Sequence, residues 1–223
     1  MTLKQALTEL KKMGTAQNRK VYQRHGVRKE MFGVSFANLG KLKRKIKIDH
    51  ELAKQLWATG NHDAQILAAM IVDPQLLADT QVESWAKDLG NYPLADAFSG
   101  LVSKSRLAPK KMKQWTKSSD EWIGQTGWNL LAHLALRSDE FPDADFENYL
   151  GLIERKIQRS KNRVRYAMNN ALIAIGMRND FLEARAIAVA EKIGRVDVDH
   201  GETNCKTPDA AAYIRKARSR KGN

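Results

Sequence analysis

Apolar residues recur at three- and four-residue spacing through most of this chain. Leu3, Ala6, Leu7 and Leu10 form one stripe, and Phe36, Leu39, Leu42 and Ile46 a second. Others follow at Leu52, Leu56 and Trp57, and at Ile66, Leu67, Met70 and Ile71. In the second half they run through Leu130, Leu131, Leu134 and Ala135, and then Tyr149, Leu152, Ile153 and Ile157. The last two are Ala167, Ala171, Leu172 and Ile175, and Ala184, Ile187, Ala188, Ala190 and Ile193. This period collects the apolar side chains on one face of a helix, and alternation with a period of two is missing. The stripes are separated by turn signals at Gly14, Gly60-Asn61, Asp73-Pro74, Gly90-Asn91, Ala108-Pro109, Phe141-Pro142 and Asn179-Asp180. Asp49 and Ser119 are read as N-caps, because each precedes a helical run and has an oxygen for the free amides of the first turn.

Helices of roughly 10–15 residues cannot bury such stripes alone, so neighbours must stack. Paired helices with a period of roughly 35–45 residues predict an all-α fold, a curved α-solenoid of HEAT-like repeats, over residues 1–195. A compact irregular bundle is the other arrangement the pattern allows. Residues 196–223 differ. Val196 to Pro208 is polar and rich in turn residues, Asp209 to Lys216 reads as a short helix, and the basic end from Arg218 reads as frayed. This segment is expected to pack on, or extend from, the same domain.

Charge narrows the picture further. The chain carries 38 Lys and Arg against 25 Asp and Glu, a formal net charge of +13. Residues 1–50 hold 13 Lys and Arg against 3 Asp and Glu, and Arg155–Arg165 and the C-terminal tail are also basic. Such an excess points to a polyanionic partner, and separated basic runs suit the spread phosphates of double-stranded DNA. Lys41, Lys43, Arg44, Lys45, Arg159, Arg163 and Arg165 are the expected phosphate contacts, made by a monomer. No apolar run reaches the ~18 residues of a membrane span, and the N-terminus has no signal-peptide core. The lone Cys205 precludes an internal disulfide. The chain is therefore read as intracellular: cytoplasmic and nucleoid-associated.

The usual catalytic and cofactor motifs are missing: no Walker loop, dinucleotide fingerprint or nucleophile elbow is present. His200 and Cys205 lie near Asp197 and Asp199, but a zinc site needs a second close pair of soft ligands, and the other histidines are dispersed. The segment is read as a packed loop with a buried thiol, and no metal or cofactor is expected. Most of the five tryptophans are read as core or helix-packing residues; Trp57 and Trp85 end helices beside turns, where a partly exposed indole can contact a DNA backbone or base face.

Four blocks carry a resemblance. Tyr22-Gln23-Arg24-His25-Gly26-Val27 with Phe32-Gly33-Val34, Leu56 to Ala64, Asn91-Tyr92-Pro93-Leu94-Ala95-Asp96, and Trp122 to Gly127 together resemble the DNA alkylation repair family. The likeness runs from about Thr15 to Ile193. It implies a curved stack of HEAT-like repeats. It also implies, in the catalytic members, a glycosylase that removes cationic N3- or N7-alkylpurines without flipping the base. Asp96, four residues after an aromatic, matches the family's catalytic carboxylate, and Tyr92 stands where the usual aromatic is Trp. Trp57, His62, Gln125, Trp128 and Asn170 are further site candidates. Gln125 stands where catalytic relatives carry Arg, and Asn170 where they carry a second aromatic. Trp128 and Arg165 are the residues placed to compensate. Two other readings stay open: a non-catalytic helical-repeat protein that recognises unusual DNA structure, and a protein-interaction scaffold.

Overall fold

The computed structural model describes residues 1–137 and 141–220, and these form thirteen α-helices and two 3-10 turns. The helices pack into two compact units. The first comprises Met1–Leu107 with Gly201–Thr203. It holds α1 (Leu3–Met13), α2 (Ala16–Arg24), α3 (Phe36–Ile46), α4 (His50–Ala58), α5 (His62–Ile71), α6 (Asp79–Lys87) and α7 (Tyr92–Val102). The second comprises Ala108–His200 with Asn204–Asn223. It holds α8 (Ala108–Trp115), α9 (Glu121–Arg137), α10 (Asp143–Lys156), α11 (Asn162–Gly176), α12 (Asp180–Ile193) and α13 (Ala210–Ser219).

Short polar side chains start most of these helices. Thr2, Thr15, Ser35, Asp49, Asn61, Asn91, Asn179 and Asp209 each accept an amide hydrogen from the first turn they open. The expected cap at Ser119 falls one residue later. Asp120 accepts the amides of Trp122 and Ile123 at 2.9 and 3.0 Å, so its carboxylate opens α9. A carboxylate also complements the positive end of the helix dipole better than a neutral hydroxyl does.

Helices pack on a partner and again on the helix two along. In the first unit α5 touches α3, α4 and α7; in the second α11 touches α9, α10, α12 and α13, and α10 touches α12. This is the layering of a helical repeat, and it leaves the inner helices with no solvent face. Every residue of α5 from His62 to Ala69 is buried. Gly127 allows the closest approach in the second unit. A Cβ there would lie 2.4 Å from the Thr116 amide nitrogen and 2.5 Å from the Trp115 carbonyl carbon, so α9 lies directly against the end of α8.

Three expectations about the C-terminal third change. Leu182, Ala186, Val189 and Ala190 are the buried residues of α12, while Ala184 and Ala188 face solvent. Alanines and other apolar residues occur all round this helix, so periodicity alone left its register open. Arg218 is also not frayed. It lies in α13 and pairs with Asp180 and, at 2.8 Å, with Glu183, while Arg215 pairs with Glu191. These cations tie α13 to α12; Lys221 lies outside the described residues. Cys205 is exposed, not buried. Side chains hold the loop around it: Arg165 donates to the Asp197 carbonyl at 2.7 Å, and Asn162 exchanges two hydrogen bonds with the Asp199 backbone.

Gly127→Ala should lower stability in urea unfolding. Alanine gains about 1 kcal/mol of helix propensity, but crowding against fixed backbone costs about 1–3 kcal/mol. The crowding is expected to win, for a net loss of up to about 2 kcal/mol; a gain would show that α8 retreats freely.

Candidate nucleic-acid interface

In the first unit the chain turns sharply after α2. His25 closes the helix, Gly26 adopts φ +79, and Val27 donates back to the Tyr22 carbonyl at 3.0 Å. The non-helical segment that follows needs partners for its amides, and Asp63 supplies them. Its carboxylate accepts from Phe32 at 2.6 Å, Gly33 at 2.9 Å and Val34 at 2.9 Å. Burial pushes the Asp63 carboxyl up, against these three amides, which hold it down. Tyr22 donates to the Val34 carbonyl at 2.5 Å, and burial, with the Asp63 charge second, pushes its phenol up to about 12.

Behind this segment lies a polar core. Lys29 reaches inward to the Gln65 side chain, at 3.1 Å, and to the Asp88 carbonyl. His62 is 1% exposed, meets Tyr22 edge-on at 5.4 Å, and has no hydrogen-bond partner at either ring nitrogen. Burial first, and Lys29 second, lower its pKa to about 4. Trp57 is 2% exposed and stacks on Trp85, with centroids 4.2 Å apart and planes 4° from parallel. Its indole donates to Asp88 at 2.8 Å. Trp57, Trp85 and His62 are therefore packing residues, as read for most of the tryptophans; this corrects the candidacy of Trp57 and His62 as DNA contacts, because a side chain enclosed by protein has no surface to offer a backbone or base.

Tyr92 and Asp96 do come together. Tyr92 is the first residue of α7, half-buried, with its hydroxyl hydrogen-bonded to His25 Nδ1. One turn later, on the same face, Asp96 is exposed. His25, from the Tyr22–Val27 block, is a neighbour that no spacing in the sequence marks. Lys41, Lys43, Arg44 and Lys45 lie on α3; all are exposed, and none pairs with a carboxylate among the described residues.

The second unit treats its candidates differently. Gln125 and Trp128 on α9 are each 2% exposed, and Trp128 packs edge-on against Tyr149 at 6.0 Å. Both are core residues, which corrects their assignment as DNA contacts. Asn170 is half-buried on α11. Arg165 spends its guanidinium on the Asp197 and Ser160 carbonyls, at 2.7 and 3.1 Å, so it is a loop clamp and not a free cation. The Arg163 amide donates to Glu121 at 2.7 Å, and its side chain is half-buried. Arg159 is exposed at the end of a 3-10 turn. Among the described residues no group of three or more His, Cys, Asp and Glu is placed to hold a metal, and no helix is long and apolar enough to cross a membrane.

A family model described as DNA alkylation repair enzyme matches residues 6–214. An uncharacterized protein of Listeria innocua is 31% identical, with 99% of each chain covered. Another, of Listeria monocytogenes, is 30% identical over the same share. A solved structure superimposes with a TM-score of 0.90 at 28% identity, covering 99% of this chain and 95% of its own. It is described as representing a new family of proteins related to the HEAT-like repeat DNA glycosylases, with affinity for branched DNA structures. The all-helical, HEAT-like fold expected from the sequence is thus the fold of this chain.

His62 gives a pH signature. Its folded pKa of about 4 lies below the ordinary 6.5, so protonation favours the unfolded chain. The associated stability is complete above 6.5 and is lost as pH falls through about 4. Between pH 7.5 and 4 the native chain should lose about 3 kcal/mol more than His62→Gln does. Parallel pH profiles in urea unfolding would contradict the burial of a neutral imidazole.

Proposed function

This chain belongs to the DNA alkylation repair enzyme family, and we propose that it binds branched DNA, as a monomer, through the unpaired cations of its first unit. The observation that carries the reading is the Lys41–Lys45 run on α3. Its four cations are exposed and have no carboxylate partner among the described residues. Many second-unit cations are already matched: Arg178 with Asp143 at 3.1 Å, Arg185 with Glu147 at 2.8 Å, Lys192 with Glu154 at 2.5 Å and Arg195 with Asp197 at 2.7 Å. A matched cation must give up its carboxylate to take a phosphate and releases fewer counterions, so the free lysines contribute most of the binding. The branched-DNA affinity described for the structural relative supports the choice of DNA form.

A second reading rests on Asp96. An exposed carboxylate one turn beyond Tyr92 suits hydrolysis of the N-glycosidic bond of a cationic N3- or N7-alkylpurine. The leaving base is already positively charged, and positive charge builds on the deoxyribose as the bond breaks. The Asp96 carboxylate would stabilise that charge and orient the attacking water. Weighing against this reading, Trp57 and Trp128 lie in the core, and the resemblance puts Gln125 and Asn170 where catalytic relatives carry Arg and an aromatic. Little then remains to wall a lesion.

The test has two arms. Fluorescence anisotropy should show tighter binding to a four-way junction than to a linear duplex of equal length. Lys43→Ala, Arg44→Ala and Lys45→Ala combined should flatten the salt dependence by roughly 0.9 in log–log slope per lost phosphate contact. Equal affinity for the two DNAs would overturn the preference for branches. In the second arm, base release from methylated duplex by the native chain, lost in Asp96→Asn, would establish the glycosylase reading in place of the first.

A further inference from the structure

The first unit has another cationic feature that the α3 lysines do not account for. Gln17, Lys20 and Arg24 fall on one face of α2, at i, i+3 and i+7. Arg28 follows just past the Gly26 turn, and these side chains line one wall of an open groove of about 760 Å³. The opposite wall is the Gly201–Glu202 turn. Gly201 adopts φ +63, and a Cβ there would lie 3.3 Å from the Arg24 carbonyl oxygen. This close approach places Glu202 at the groove edge. Lys20, Arg24, Arg28 and Glu202 are all exposed, and none has an ion-pair partner among the described residues.

The lining names the ligand. A groove of this volume falls in the range of small-molecule sites, but those are mostly apolar, and this one is charged and polar. Three cations against one carboxylate leave it strongly electropositive. The C-terminal end of α2 contributes about half a negative charge, which Arg24 and Arg28 outweigh. Gln17 to Arg24 spans about 10 Å along the helix axis, and Arg28 lengthens the row. A small anion would fill one end of such a row. A sugar–phosphate strand, with successive phosphates every few Å, would meet all three cations.

We propose that the groove between α2 and the Gly201–Glu202 turn is a second phosphate track, which takes one backbone strand of the bound DNA, with Glu202 as a built-in counter-charge that limits its grip. The track rests on the DNA-binding reading above and adds a surface that the basic run on α3 does not include. Removing the three cations weakens binding, and removing Glu202 strengthens it. The second effect is the informative one, because damage to the fold would not tighten binding.

The experiment compares the native chain, the combined variant Lys20→Ala, Arg24→Ala and Arg28→Ala, and Glu202→Gln. Anisotropy titrations with a four-way junction run from about 50 to 200 mM salt. The triple variant should lose more than tenfold in affinity at low salt, with its log–log slope flattened by about 2–3. Glu202→Gln should bind severalfold more tightly, with a slope at least as steep as that of the native chain. If the native chain binds the junction and both variants bind as it does, the track is wrong and the α3 run suffices. A native chain that binds no DNA overturns the proposed function and the track together. Should the triple variant unfold, a Glu202→Gln affinity equal to native still overturns the proposal.

Discussion

The first unit depends on one buried carboxylate. Asp63 is fully enclosed in the opening turn of α5, and burial alone would make its charge costly. Three consecutive amides, from Phe32, Gly33 and Val34, offset that cost. In return, a segment with no helix or strand of its own becomes fixed against α5. Tyr22 is anchored to the same segment through the Val34 carbonyl, so the end of α2 is held as well. Both the groove beside α2 and the His25–Tyr92 contact at the head of α7 follow from this arrangement. Leaving those amides without an acceptor would cost about 1–3 kcal/mol for each buried one.

Electrostatic function here is decided by pairing and not by total charge. The formal net charge of +13 is a sum over cations with different duties. Arg215 and Arg218 bind α13 to α12, Arg165 clamps a loop, and Arg178 pairs with Asp143. The α3 cations form no ion pair among the described residues, and those beside α2 face a single carboxylate, Glu202, across the groove. A neighbouring acid such as Glu202 then tunes a cationic surface. Asp96 on α7 is the one carboxylate of the family resemblance that remains on the surface. That exposure is why both binding and chemistry stay in view for this chain.

Much of the fold was legible because burial and helical period go together. The stripes at Leu3–Leu10, Leu52–Trp57 and Ala167–Ile175 became α1, α4 and α11, and Asp49 capped α4 as read. Where apolar residues surround a helix, as on α12, the period was ambiguous and packing from α10, α11 and α13 chose the face. Site residues were less legible. Trp57, His62 and Gln125 belong to informative blocks and Trp128 directly follows one, yet a motif does not say whether its residue faces solvent or core. The Asp63 contacts span about thirty residues of chain, and no local pattern announces them. Its one visible signal was a carboxylate in the first turn of a helix whose later residues, Gln65 apart, are all apolar.

The most direct test of DNA held by unpaired cations is lysine acetylation footprinting with mass spectrometry, on the full chain with and without a four-way junction. Lys41, Lys43 and Lys45 should be protected when DNA is bound. Lys54 and Lys192, paired with Glu51 and Glu154, should react equally in both states. Protection centred on Lys192 or Lys54, with the α3 lysines unchanged, would contradict it.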